Sequence, residues 1–268
     1  MFLLCSMVAF VRSPDASAGI PCIAMKRSAR MRACSPSTPL VSKGRMAICG
    51  KFTQMASWRE VRAFSQPLTT QPPQPAELIV STPMRFAQIM RLNANGEREL
   101  ASMRWGFADK KANAPLRPKH MHARAETIDR LPTFANAFTQ ARGILMVHTF
   151  NEGEDMASGK TKQWVITPKD RQPIAIAVIC EQWQNGAEIL DTFVQVTVPA
   201  NALISRITDR MPAILPREAW PVWLGEMWAP NEEVKALLRT YEDGGNWSMA
   251  EQPTNKPPRP PKAQQSLF

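Results

Sequence analysis

The reactive side chains of this 268-residue chain are few and well separated. Cys49 stands in MAICGKF (46–52), just after an internal methionine and at what reads as the start of a folded domain. Glu152 lies in FNEGED with Glu154 and Asp155 beside it, His122 opens HARAET, and Thr208 opens TDRMPAIL. A thiol attacks electrophiles as its thiolate. A carboxyl moves protons near neutrality when partial burial raises its pKa. An imidazole titrates there unaided, whereas a threonine hydroxyl does not. Each residue also has a plainer reading: Cys49 as an ordinary thiol near a strand start, Glu152 as a solvated loop acid, His122 as a satisfied surface or core histidine.

These residues need a scaffold, and strands dominate the pattern. MRFAQIMRL (84–92), QWVIT (163–167), PIAIAVICEQW (173–183) and TFVQVTV (192–198) carry β-branched or aromatic residues between Pro, Gly or Asn, and predict a central sheet. Helical signals are fewer. Pro132 opens LPTFANAFTQ, REAWPVWL is short and interrupted by Pro221, and PNEEVKALLRTY (230–241) has an acidic first turn. Strands and helices do not alternate regularly, which disfavours a doubly wound parallel sheet and favours α+β.

Residues 1–45 are rich in Ser, Pro, Ala and Arg without a sustained period, and are expected to be a disordered or misassigned leader. The folded domain is expected over 46–249, and 250–268 as a proline-rich tail. The apolar start and Ala16, Ser17 and Ala18 imitate a cleavage site, but the basic n-region of a secretory signal is missing. The formal charge of +10 sits mostly outside the core: the first 45 residues hold +6 and the last 19 hold +2. Any nucleic-acid footprint must therefore be a local cluster. Five cysteines show no CxxC pair and no histidines at zinc spacing, so no metal or cofactor is expected. Two of the five, Cys49 and Cys180, fall in the expected domain, which suits a reducing cytoplasm. No run reaches the ~18 apolar residues of a membrane helix, and a monomer is expected.

Taken together and in order, CGKF, RWGF, ARAET, GILMVHTFNEGE and DRMPAIL resemble the SOS response-associated peptidase family over about residues 46–225. The resemblance implies a compact α+β domain with a branched, partly barrel-like sheet, short helices around it and a cleft for single-stranded DNA. It implies shielding of abasic sites by covalent attachment. A ring-opened abasic sugar exposes an aldehyde, which an α-amine converts to a Schiff base and a thiol on the same residue closes to a thiazolidine; only an N-terminal cysteine offers both. In this chain Ala47 and Ile48 stand between Met46 and Cys49, so the amine is released only by cleavage after Ile48. By the same resemblance Glu152 handles protons and positions the amine. His122 stands where the family has asparagine, and Thr208 where it has histidine. Arg124 and Arg210 match phosphate-contacting positions, with Lys51 in place of an arginine. Trp105 in RWGF offers a face for an unstacked base, or else is a core aromatic at a strand end. Alternatives are a DNA-binding paralogue or adaptor without the chemistry, and a self-processing cysteine peptidase without DNA.

The tail adds a partner. Beyond Pro253, Pro257, Pro258, Pro260 and Pro261, the ending AQQSLF is similar to the pentapeptides with which bacterial repair proteins dock on the sliding clamp. Gln264 would supply amide hydrogen bonds, and Leu267 and Phe268 would fill an apolar pocket.

Overall fold

The computed structural model describes residues 50–54, 67–68 and 80–252. The leader, Cys49 and the clamp-like ending with Gln264, Leu267 and Phe268 lie outside the described residues.

The architecture follows from one long strand. β6 (Arg142–Asp155) extends for 14 residues and pairs with four others: β8 (Ile174–Asn185), β3 (Phe86–Leu92), β1 (Lys51–Gln54) and β7 (Thr161–Pro168). Its first half lies between β8 and β3, and its second half between β1 and β7, so the sheet branches along it. The change of partners coincides with a register shift opposite Thr53 and Gln54, where one extra residue of β6 bends the ladder. β8 reads IAIAVIC and is buried at each of those positions, as a strand covered on both faces must be.

β9 (Glu188–Pro199) closes the sheet. Along one edge it pairs with β8 and then β10 (Arg210–Pro212); along the other it pairs in parallel with β4 (Arg98–Trp105) and then β5 (His122–Arg124). β2 (Val80–Ser81) extends β1, and β11 (Trp247–Glu251) extends β7. All four strand-like runs of the sequence fall on strands, and the fold is α+β with one large mixed sheet.

Helices are short, and the first two pack against the central strands β6 and β8. α1 (Pro132–Gln140) starts on the proline and buries Phe134, Ala137 and Phe138, one stripe of a 3.6-residue period. Its last carbonyls are taken by Arg142, whose Nη1 donates to Phe138 O and Thr139 O while Nε reaches Trp223 O. α2 (Trp220–Leu224) holds Pro221 in its first turn, where a missing N–H costs nothing, and ends at Gly225 with φ 95°. The helix expected over 230–241 is confined to α3 (Asn231–Ala236), because the chain then tightens to i→i−3 bonds at Leu237 and Leu238. No helix among the described residues is long and apolar enough to cross a membrane.

Candidate nucleic-acid site

The ladder geometry gathers several of the singled-out residues on one face. Phe52 pairs with Phe150, two residues before Glu152 on β6, so Phe52, Phe150 and Glu152 point to the same side. Phe52 packs on Trp105 at 5.0 Å between ring centroids, and Trp105 meets His122 edge to face at 5.6 Å. Glu152 and His122 thus flank one aromatic cluster. Glu152 is only 1% exposed and lies within strand β6, not in a solvated loop. Glu154 is engaged elsewhere: it accepts a bond from Trp164 Nε1 at 2.8 Å, beside Lys162, whose ammonium lies over the same indole at 4.4 Å.

Trp105 corrects an expectation. It is 0% exposed, with Phe52, His122 and Phe193 packed around it and its Nε1 donating to Met121 O at 2.9 Å. No face is left for a base. Gly106, the next residue of the motif, has φ 104°, and a Cβ there would come within 2.4 Å of Pro118. The RWGF block is therefore a packing motif at the end of β4, where the chain turns into the 106–121 loop.

The two arginines differ sharply. Arg124, at the end of β5, is exposed. Arg210 is buried to 8% and turns its guanidinium inward to Glu126 and to Thr197 O, the latter at 2.7 Å. The bond from Arg210 holds the Glu126 carboxyl below its ordinary range, with a smaller contribution from the charge of Arg124. Glu126 thus ties together β5, β9 and β10, and its ordering of Arg210 explains why both blocks, ARAET and DRMP, carry charge. Arg210 is a structural element of the site wall; the exposed charge is Arg124, with the half-buried Lys51 at the start of β1.

Thr208 is half-buried between the 3-10 turn at Ile204–Arg206 and β10, its N–H bonded to Ile204 O at 3.1 Å. That places it on the chain leading to Arg210, beyond the end of β9. Among the described residues no three His, Cys, Asp or Glu side chains group to hold a metal. Cys180 is buried on β8, and desolvation pushes its thiol up to about 12, so it is a packing residue.

Two polar residues of β9 were not singled out from the sequence. Gln195, directly beside His122 in the parallel ladder, is 0% exposed, and neither polar atom of its side chain makes a hydrogen bond. Thr197 stands opposite Arg124 and its carbonyl takes the Arg210 bond. The signal was faint: both interrupt an otherwise apolar strand, FVQVTV, at alternate positions.

Comparison with known proteins gives this geometry a context. The family model described as SOS response associated peptidase (SRAP) matches residues 48–255. The abasic site processing protein YoqW of Bacillus subtilis is 28% identical over 153 residues, covering 56% of this chain and 68% of YoqW. The abasic site processing protein HMCES of Xenopus tropicalis is 26% identical over 173 residues, covering 56% of this chain and 52% of HMCES. A Bordetella bronchiseptica protein of known crystal structure superposes with TM-score 0.63 at 23% identity, covering 76% of this chain and all of that one. A Bacteroides thetaiotaomicron structure gives 0.60 at 20% identity, covering 82% of this chain and all of that one, which shows a shared fold.

Proposed function

The chain belongs to the SOS response associated peptidase family, and from that membership we propose that it recognises abasic sites in single-stranded DNA and captures them covalently through Cys49. The observation that carries the proposal is the burial of Glu152 at 1% exposure on the face shared with Phe52, Trp105 and His122. The first pair of β1, Lys51 with Asn151, lies one step from Glu152, and Cys49 precedes Lys51 by two residues.

The chemistry has three steps. Hydrolysis of the Ile48–Cys49 peptide consumes one water and frees the α-amine. The amine adds to the aldehyde carbon of the opened sugar, and loss of water leaves a Schiff base. The thiol then adds to that carbon, its proton passing to nitrogen, and the thiazolidine closes. Two nucleophiles on adjacent carbons make closure intramolecular, which supplies the large effective molarity. Glu152 shuttles protons at the amine, and His122 supplies the second acid–base group. Arg124 and Lys51 take phosphates, and Thr208 orders the turn before β10.

Intact-mass analysis and a denaturing gel test this directly. A new N-terminus at Cys49, together with a shifted band on abasic single strands that Cys49→Ala abolishes, is the expected result. An intact Ile48–Cys49 bond and no band, with strands still bound, would mark a DNA-binding paralogue instead. For the tail, we infer docking of QQSLF on the sliding clamp in the cytoplasm. Peptide 260–268 should bind the clamp and lose binding on Leu267→Ala or Phe268→Ala, and no binding rejects the assignment.

A further inference from the structure

Gln195 is an anomaly of the core. Its amide has a donor group and an acceptor, both buried, and neither is bonded. An apolar residue of equal size would fit this strand without that cost. What stands beside it is His122, its Cα partner across the parallel β5–β9 ladder, so the two side chains leave the sheet on the same face about 5 Å apart. The imidazole rests edge-on against Trp105, which stacks in turn on Phe193, two residues before Gln195.

We propose that Gln195 is a positioning residue for His122, its side-chain oxygen accepting a hydrogen bond from the ring when the ring takes up a proton. A neutral imidazole has one N–H, and an imidazolium has two. The second N–H created by protonation needs an acceptor on the buried side of the ring, and the Gln195 oxygen is the unoccupied acceptor on the neighbouring strand. Among the described residues, those on this face that bear on the charge are the following. Trp105 on β4, and Gln195 and Thr197 on β9, are uncharged; Arg124 lies two residues along β5, and Glu152 on β6 points to the same face. Of the three uncharged residues, Trp105 and Thr197 already use their side-chain polar atoms in other hydrogen bonds, whereas those of Gln195 are unused. This assignment deepens the abasic-site reading, since a held imidazolium is the acid that Schiff-base chemistry requires, but the geometry stands without it.

The test follows the His122 ring by NMR through a pH titration of the full chain, its signals assigned with His122→Gln. Gln195→Met should fold with equal or higher thermal stability and lower the His122 midpoint by about one unit, because the acceptor is lost. Gln195→Glu should raise it, and so gives an answer even if the methionine variant fails to fold. Unchanged midpoints in both variants overturn the proposal, as does a shift of the same sign in both. Failure of the abasic-site reading looks different: the parent protein forms no adduct, while the His122 midpoint still follows residue 195.

Discussion

The Arg210 guanidinium and the Glu126 carboxylate meet through two parallel hydrogen bonds, Nη1 to Oε1 at 2.5 Å and Nη2 to Oε2 at 2.9 Å, across 84 residues of sequence. The arginine is nearly buried and the glutamate about half exposed. Glu126→Gln keeps the shape and removes the charge, leaving a buried cation with weaker partners. It should cost about 2 kcal/mol in urea unfolding at neutral pH. The pH dependence has a definite sign. Because Glu126 titrates lower in the folded protein, its contribution is complete above the unfolded value of about 4.3 and disappears as pH falls through the folded one. The difference between parent and variant should therefore shrink in acid.

Arg124 and Arg210 should separate in DNA binding. Arg124→Ala removes an exposed charge, so it should weaken single-strand binding and reduce the salt slope by about 0.7 with thermal stability unchanged. Arg210→Ala should lower the melting temperature first. Fluorescence anisotropy at several salt concentrations, run beside thermal melts, checks both.

Trp105→Ala should behave as a core truncation, costing about 3–5 kcal/mol, while Trp105→Phe keeps most of the packing and loses the bond to Met121 O. A fully folded Trp105→Ala with weakened DNA binding would contradict the burial. Gly106→Ala should be poorly tolerated too, since it combines a left-handed backbone with collision against the Pro118 ring.

Cys180 should resist alkylation. With its thiol pushed up to about 12 by burial on β8, labelling at pH 8 should await unfolding. Folding favours the thiol form, so this residue's contribution to stability is full below the unfolded value of about 8.5 and declines as pH rises towards 12. Labelling monitored by mass spectrometry across a urea series reads this out.

Strand runs such as 173–183 were legible because a strand covered on both faces must be almost wholly apolar. β6 was not. Its second half reads TFNEGED, and the burial of Asn151 and Glu152 there depends on partners 90 or more residues before and up to 101 residues after. Local pattern holds no trace of such pairing. The same holds for Trp105 and Arg210: an aromatic at a strand end and an arginine before MP look alike whether exposed or enclosed, and only the closing of β9 against β4 and β5 decides. The motif order, by contrast, pointed to the family, because several blocks in sequence constrain more than any one of them. Helix length was misjudged at 230–241, where the acidic start was real but the end was set by tightening of the last turn.

The parallel pairing of β5 with β9 joins His122 to Gln195 across 73 residues, and β6 takes partners from both sides of it in the sequence, β1 before and β7 after. During synthesis at about 5–20 residues per second, several seconds separate the emergence of one side of the site from the other. Until β9 has left the ribosome the β5–β9 pairs cannot form, and contacts this distant make the final closure slow. The β5–β9 junction is therefore where folding mutants of this protein should stall.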